Sequence, residues 1–384
     1  ENRMSLTYID ITDKPVLTFA IDEYDALPSA LKNDPSKQIK NETFIAGGAL
    51  QTGAESGEGI LYQTTYSPAI HSASPPKRVN WLGDLSALLV DSLGRIRSDN
   101  GDGKLGLTQA DPIVDTCYDE SDQVLRVKLS GNQTSRPSSG ESRHCSKLIY
   151  SNLQNDIGYL WQASAILANL NAGSVVQQRQ AYSSDEPHRY IRSHIANNIF
   201  DFTEDDFPES HGGLLNTNKP KDVGRIINFV RGLDQVGLRS RQISGETKRL
   251  GDFINSKPVA VSAPAENLHL IYDDDSYLDF FKQYKDRRTV IYAGGNDGLI
   301  HAFNGGWYDK QSLAPTKYKS GLTQWALGQE IWAFVPFNIL PHLNYLSSPG
   351  YGEKAADHLY LLDQSAYVFD AKIFTKKGVS GQAD

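Results

Sequence analysis

Apolar and polar residues alternate along several short stretches of the chain, and this pattern predicts β-strands as the main elements. Near the N-terminus, residues 6–11 and 16–20 flank a Thr-Asp-Lys-Pro turn and predict a hairpin. The alternation returns over residues 60–97, where residues 85–90 suit a buried strand. The polar stretch at residues 119–146 carries charges of both signs and indicates a surface excursion.

The densest strand pattern lies further along the chain. Residues 289–295 and 299–303 are β-branched and aromatic runs joined by Asn-Asp-Gly at 296–298, and they predict a hairpin because Gly tolerates positive φ. The Asn-Gly-Gly at 304–306 predicts another turn, and a third apolar run follows at 332–336. Strands and tight turns at this spacing are typical of a β-propeller blade.

Apolar residues three and four positions apart predict three amphipathic helices, over residues 157–170, 220–232 and 276–284. A stretch rich in Gly, Ser and Arg then separates two regions of different pattern. We therefore expect a mainly β protein with a few helices, in which an α/β region at residues 1–240 precedes blade-like sequence at residues 241–384.

The strand-rich segment also resembles a known family. Residues 288–303 are similar to the first-blade signature of the PilC-type propeller in the PilY/PilC family of type IV pilus tip-associated adhesins. The Trp-Leu-Gly-Asp-Leu element at 81–85, the Leu-Gly-Asp-Phe stretch at 250–253 and the His-Leu-Tyr-Leu-Leu-Asp stretch at 358–363 follow the family's order. The resemblance is colinear over roughly residues 50–375.

This resemblance implies that residues 241–384 form the first blades of an incomplete propeller, since a blade takes ~40 to 45 residues and a ring needs at least about four. The remaining propeller sequence or a partner chain would cover the open strand edges. It also implies a non-enzymatic, extracellular protein, exported through the periplasm to the pilus tip or outer cell surface. Its expected role is pilus assembly, extension and adhesion, with minor pilins of the tip complex and a host or abiotic surface as partners.

A second class stays open, namely a quinoprotein dehydrogenase-like propeller enzyme, because such enzymes also use glycine-bounded blades. It would need a full ring, a central cofactor and a calcium ion beside a catalytic Asp, and the sequence offers too few blades. The nucleophile-elbow, zinc-protease, phosphate-loop and Cys-x-x-Cys motifs are absent. We expect His301 to be packed or hydrogen-bonded in the blade, and the acidic runs at 204–206 and 273–275 to be solvated.

Residues 98–111 are the candidate calcium loop, and PilY-type proteins carry a similar Asp-x-Asn-x-Asp loop. Calcium binds six to eight oxygens, which such a loop supplies from alternate positions with a Gly after the third ligand. When Ser98 is counted as position one of the loop, the carboxylates usual at positions one, nine and twelve are missing, so we predict weak calcium binding. The alternative is an ordinary turn rich in Asp, Asn and Gly. The candidate ligands are Ser98, Asn100, Asp102, the Lys104 carbonyl, Gln109 and Asp111.

The amino-acid composition further narrows the classes of protein to which this chain can belong. The 46 acidic and 38 basic residues leave a net charge of −8, which argues against a nucleic-acid partner because phosphate contacts need a basic surface. No apolar run is long enough to predict a membrane span. Cys117 and Cys145 are expected to form one disulfide in an oxidising compartment, worth ~3 kcal/mol, and two reduced buried cysteines are the alternative.

Overall fold

The computed structural model is mainly antiparallel β-sheet with a few short helices, as the alternation predicts. It describes residues 3–10, 15–22, 42–45, 59–71, 78–91, 94–119, 124–130, 151–152, 157–178, 220–243, 245–264, 268–309, 314–319, 321, 325–340, 342–352 and 358–370.

The first sheet is a meander in which each strand pairs antiparallel with the next, and the last short strand, β10, returns to pair with β5. The predicted N-terminal hairpin is confirmed as β1 and β2. The prediction of a surface excursion at residues 119–146 is corrected, because strand β8 lies within this stretch and pairs with β7. The strands are β1 Arg3–Asp10, β2 Pro15–Asp22, β3 Glu42–Ile45, β4 Gly59–His71, β5 Arg78–Val90, β6 Ile96–Arg97, β7 Ile113–Asp119, β8 Val124–Ser130, β9 Ser151–Asn152 and β10 Trp161–Gln162.

Two of the three predicted helices are confirmed, over Pro220–Arg231 and Asp275–Tyr284. The prediction at 157–170 is wrong in its first turns, because Trp161 and Gln162 pair with Ala87 and Ser86 of β5, so the helix begins only at Ala163. The described helices are α1 Ala163–Ala168, α2 Ala172–Gln178, α3 Pro220–Arg231, α4 Leu268–Tyr272, α5 Asp275–Tyr284 and α6 His342–Ser347.

The remaining strands form a two-stranded hairpin and a five-stranded antiparallel sheet. The predicted hairpin between β14 and β15 is confirmed: Gly298 has φ +87°, and its N–H donates to the Gly295 carbonyl at 3.1 Å. The prediction of a turn at Asn-Gly-Gly, residues 304–306, is wrong, because β15 continues through these residues. The pairing of β15 with β14 shifts register next to Thr289. The strands are β11 Gln242–Ile243, β12 Glu246–Thr247, β13 Val259–Val261, β14 Thr289–Gly294, β15 Ile300–Asp309, β16 Ala314–Thr316 and β17 Glu330–Phe334.

One hydrophobic core joins the two regions expected from the sequence, 1–240 and 241–384. Side chains of β4, β5 and α1 pack directly against side chains of β14 and β15 and of the segment before β13. A second cluster packs α3 against α6. The first core contains Ile60, Tyr62, Leu85, Ala87, Trp161, Ala163 and Leu167 from the first region and Leu250, Phe253, Ile291, Ala293, Phe303 and Leu327 from the second.

Within the described residues, the longest helix has 12 residues, and none is long and apolar enough to cross a membrane.

The tightest contact between the two regions is made by two glycines and yields a test. A Cβ at Gly83 would strike the carbonyl oxygen of Gly251 and lie 2.8 Å from the Cα of Asp252. Because backbone atoms cannot swing away, we expect Gly83→Ala to destabilise the protein by about 2 kcal/mol or more, measured by urea unfolding.

Gly224→Ala is the matched control, since this glycine lies inside α3 and no atom lies within 4 Å of where its Cβ would be. The control should be neutral or stabilise by up to about 1 kcal/mol through helix propensity. Equal unfolding free energies for the two variants would contradict the close approach.

Candidate functional site

Four separated motifs of the sequence meet at one place in the structure. The indole of Trp81, on β5, lies with its centroid 4.6 Å from the His358 ring and 5.3 Å from the Tyr351 ring. Two residues further along β5, Gly83 touches Gly251. The Gly251 N–H in turn donates to the Asp297 carboxylate at 2.9 Å, in the turn between β14 and β15. We call Gly83, Gly251, Asp252, Asn296, Asp297 and His358 the motif junction.

Asp252 is the buried centre of the motif junction, with 3% exposure. Its carboxylate accepts hydrogen bonds from the Asn296 amide at 2.9 Å and from His358 Nε2 at 3.0 Å. Its carbonyl accepts the Asn296 N–H at 3.0 Å, and the Asn296 side-chain oxygen accepts the Leu361 N–H at 3.0 Å. One carboxylate and one amide thus tie together three stretches of chain that are more than 40 residues apart in sequence.

His301 lies beneath the junction on β15, and it is fully buried, as the sequence predicts. Its Nδ1 is 2.7 Å from the Glu330 carboxylate and its Nε2 is 3.2 Å from the Asp297 carboxylate, while Phe253 and Phe303 contact the ring. Burial alone lowers the pKa of His301, but the charges and hydrogen bonds of Asp297 and Glu330 outweigh burial and raise the pKa to about 9. The imidazolium therefore links the turn to β17 as an ion-pair bridge.

Asp84 extends the junction toward α1. Its carboxylate accepts the Ser164 N–H at 2.9 Å, in the first turn of α1, and the Gln162 side-chain amide at 3.0 Å. Burial raises the pKa of Asp84 to about 6, although these hydrogen bonds oppose the rise. The Gly-Asp pair of the Trp-Leu-Gly-Asp-Leu motif thus has two structural tasks, a close backbone approach and a hydrogen bond to a backbone N–H in the first turn of α1.

A narrow cleft opens beside the motif junction, between β5, α3, the β11–β12 hairpin and α6, with a volume of about 40 Å³. Its apolar wall includes Phe229, Leu250 and Tyr351, each at most 4% exposed. Its basic wall is formed by Arg239, Arg241 and Lys248. The sequence alone marks these Arg residues only as part of a stretch rich in Gly, Ser and Arg, and it does not show that they share a cleft with Trp81 and Asn296.

The candidate calcium loop folds as a series of tight turns. Asp99, Asn100 and Asp102 each accept the backbone N–H two residues ahead, at 2.8 to 2.9 Å. The buried Asp111 carboxylate closes the loop by accepting the N–H groups of Asn100 and Thr108. The structure thus brings Asn100, Asp102 and Asp111 into one loop.

Two other predicted ligands, Ser98 and Gln109, fit an ion less well. The Ser98 hydroxyl is buried and accepts the Gly158 N–H at 2.7 Å, and Gln109 is exposed. Lys104 Nζ lies 3.3 Å from the Asp102 carboxylate and competes with a cation for it. Among the described residues, no group of three or more His, Cys, Asp or Glu side chains is placed to hold a metal. Asn100, Asp102, the Lys104 carbonyl and Asp111 remain the oxygen donors suited to calcium.

The other predicted features are placed only in part. Cys117 lies on β7, whereas Cys145 and the acidic run at 204–206 lie outside the described residues, so the disulfide stays a prediction. Of the acidic run at 273–275, Asp274 caps α5 by accepting the Ser276 N–H at 2.9 Å, and Asp273 has φ +54° at the end of α4.

Comparison with known proteins gives relatives of one kind. The chain is 26% identical over 233 residues to a type IV pilus biogenesis factor PilY1 homolog of Xylella fastidiosa, covering 54% of this chain and 17% of that protein. It is 30% identical over 168 residues to the type IV pilus biogenesis factor PilY1 of Pseudomonas aeruginosa strain UCBPP-PA14, covering 41% of this chain and 12% of that protein. No protein-family model and no solved structure matches.

These matches show that the chain is similar to parts of PilY1 proteins. The matched part spans less than a fifth of the length of these curated relatives.

The His301 bridge predicts a pH dependence of stability. Because the folded pKa of His301, about 9, lies above the ordinary histidine value of 6.5, its stabilisation is complete below pH 6.5 and is lost as the pH rises through 9. We expect the parent protein to lose on the order of 2 to 3 kcal/mol more than His301→Gln between about pH 6.5 and about pH 10, measured by urea unfolding.

His269→Gln serves as the control, because His269 lies on α4 and stacks on Tyr277, away from this bridge. Its pH profile should follow that of the parent. Parallel profiles for the parent and His301→Gln would contradict the bridge.

Proposed function

We propose that this chain is part of a non-enzymatic type IV pilus factor that supports pilus assembly and extension at the pilus tip or outer cell surface. The observation that carries the proposal is the sequence similarity to PilY1 proteins, which are named type IV pilus biogenesis factors. The junction of the family-like motifs adds support, because these motifs build one structural unit. Minor pilins are the proposed partners, and adhesion to a host or abiotic surface is the proposed second role.

The C-terminal sheet fits the proposed opening blade of a propeller. Strands β13, β14, β15 and β17 are neighbours in one antiparallel sheet, which is the arrangement of a four-stranded blade. On β17, Trp332 and Phe334 are 45% and 56% exposed. We propose that the remaining propeller sequence or a partner chain covers this apolar strand.

A quinone-dependent enzyme fits the geometry less well. The cleft at the motif junction, at about 40 Å³, is far below the several hundred Å³ that a cofactor-sized ligand needs. Two histidines that contact lining residues of this cleft, His301 and His358, hold structural carboxylates, and each side chain is at most 4% exposed.

Gene deletion tests the pilus role. Deleting the gene for the full protein in its own organism should reduce the number of surface pili seen by electron microscopy, and the parent gene should restore them. A full-length gene with Gly224→Ala should also restore piliation, whereas Gly83→Ala should do so poorly because it breaks the junction. Normal piliation in the deletion strain would refute the proposal.

Weak calcium binding by residues 98–111 is proposed as a modulator. With a Kd of ~10⁻³ M, about 10 mM calcium should stabilise the protein by about 1.4 kcal/mol. Asp102→Ala should abolish the resulting rise in Tm. Lys104→Gln should enlarge it, because the ammonium 3.3 Å from the Asp102 carboxylate is then gone.

Asp279→Ala is the calcium control, since this exposed carboxylate lies on α5, outside the loop. It should leave the calcium response unchanged. If calcium does not raise the Tm of the parent, the loop is an ordinary turn. The proposed Cys117 to Cys145 disulfide is checked by intact mass before and after reduction of protein from its native compartment, where free thiols would refute it.

A further inference from the structure

Helix α4 presents apolar side chains to solvent instead of burying them. Leu270, Ile271 and Tyr272 are 76%, 64% and 74% exposed, and no residue of this helix is buried. Single exposed apolar residues are common on protein surfaces, but three consecutive ones on one helical turn form a continuous apolar surface. We call Leu270, Ile271 and Tyr272 the α4 patch.

Helix α5 holds the α4 patch in a defined position. The His269 ring stacks on the Tyr277 ring, with 5.7 Å between the two ring centroids. Asp273, with φ +54°, then ends α4, and Asp274 caps α5 by accepting the Ser276 N–H at 2.9 Å. These contacts do not use the side chains of the patch, so a partner could bind the patch without first ordering the helix.

The surroundings of the α4 patch are acidic. Asp273 and Asp275 are exposed and follow the patch directly in the chain. Residues 268–281 contain four Asp and neither Lys nor Arg, and the first Lys after them, Lys282, lies in the last turn of α5. Among the described residues, no Lys, Arg or His forms an ion pair with Asp273 or Asp275. The exposed apolar surface is therefore bordered by carboxylates that are open to a cation.

This charge distinguishes three candidate occupants of the patch. A second copy of the chain would bring the same carboxylates against each other, in a molecule whose net charge is already −8. A membrane surface with anionic headgroups would repel the carboxylates as well. A protein segment whose apolar side chains are flanked by Lys or Arg would cover the apolar surface and pair with the carboxylates.

We propose that the α4 patch is a docking surface for a basic amphipathic segment of a partner protein, which packs apolar side chains on Leu270, Ile271 and Tyr272 and places Lys or Arg beside Asp273 and Asp275. The proposal goes beyond the pilus role, because it concerns the chemistry of one surface and is tested on the purified chain. Loss of piliation and loss of peptide binding are separate readouts, so one can fail while the other holds.

The probe is a fluorescein-labelled basic amphipathic peptide, Lys-Leu-Leu-Lys-Lys-Leu-Leu-Lys, whose binding is measured by fluorescence anisotropy. It is compared with an acidic peptide, Glu-Leu-Leu-Glu-Glu-Leu-Leu-Glu, and with a basic polar peptide, Lys-Ser-Ser-Lys-Lys-Ser-Ser-Lys. At about 50 mM NaCl the probe should bind about tenfold or more tightly than either, because it alone has both apolar and cationic side chains. Its advantage over the acidic peptide should shrink at about 500 mM NaCl, whereas its advantage over the polar peptide should remain.

Ile271→Ser tests the apolar contact, and Val236→Ser is the matched control. Val236 is also aliphatic, at 92% exposure, but it follows α3 and lies outside the α4–α5 pair. Because Ile271 is exposed, Ile271→Ser should unfold at the same urea concentration as the parent and should weaken binding of the probe about tenfold. Val236→Ser should bind the probe as the parent does. Equal losses for the two variants would show unspecific apolar binding and overturn the proposal.

Asp275→Asn tests the charge, and Glu246→Gln is the matched control, because Glu246 is an exposed carboxylate on β12 that pairs with Lys248. Asp275→Asn should weaken the probe about threefold at about 50 mM NaCl, and Glu246→Gln should leave its binding unchanged. Equal losses for these two variants would show a general charge effect and overturn the proposal.

The other two occupants are tested with the same Ile271→Ser variant. Concentration-dependent dimers of the parent that Ile271→Ser abolishes, seen by analytical ultracentrifugation, would assign the patch to a second copy. Sedimentation of the parent with phosphatidylglycerol vesicles that Ile271→Ser abolishes would assign it to a membrane. Either result, or no binding of the probe up to about 1 mM, would overturn the proposal.

Discussion

The close approach of Gly83 to the backbone at Gly251 and Asp252 is the constraint on which the rest of the structure depends. It lets β5 lie directly against the segment that leads into the C-terminal sheet. Gly251 in turn has the Asp297 backbone nitrogen 2.6 Å from where a Cβ would be. Two positions without side chains thus bring a strand, a connecting segment and a hairpin turn to backbone contact, and the shared core of β4, β5, β14 and β15 forms around them.

Such a contact needs polar groups to be satisfied, because backbone atoms at this distance exclude water. The motif junction meets this need with Asp252, Asn296 and Asp297, whose side chains accept or donate across the contact. The His301 bridge then connects the same turn to Glu330 on β17. A buried network of this kind is costly if half made. Asp252, Asn296, Asp297 and His301 each have hydrogen-bond partners, whereas the buried Nδ1 of His358 has none among the described residues.

The distribution of charge follows from this arrangement. Carboxylates turn inward to meet histidines and backbone N–H groups at the junction, while arginines remain at the mouth of the cleft and stack on buried rings. Three basic side chains, Arg239, Arg241 and Lys248, therefore line the cleft although the chain is acidic overall.

The sequence by itself determined the local elements and the family resemblance. Alternation and the Asn-Asp-Gly turn are enough for β14 and β15, periodicity is enough for α3 and α5, and the ordered motifs pointed to the PilY1-like relatives. Predictions from the sequence failed for elements that depend on long-range pairing. Trp161 and Gln162 pair with β5, although the local sequence pattern predicts helix. Strand β15 continues through Asn304, because β14 and the segment before β17 both form hydrogen bonds with β15. Only the tertiary structure decided that Gly83, Asp252, Asn296 and His358 form one junction beside Arg239. The physical reason is that these contacts join residues from 44 to more than 100 positions apart, and local sequence preferences carry no information about such distances.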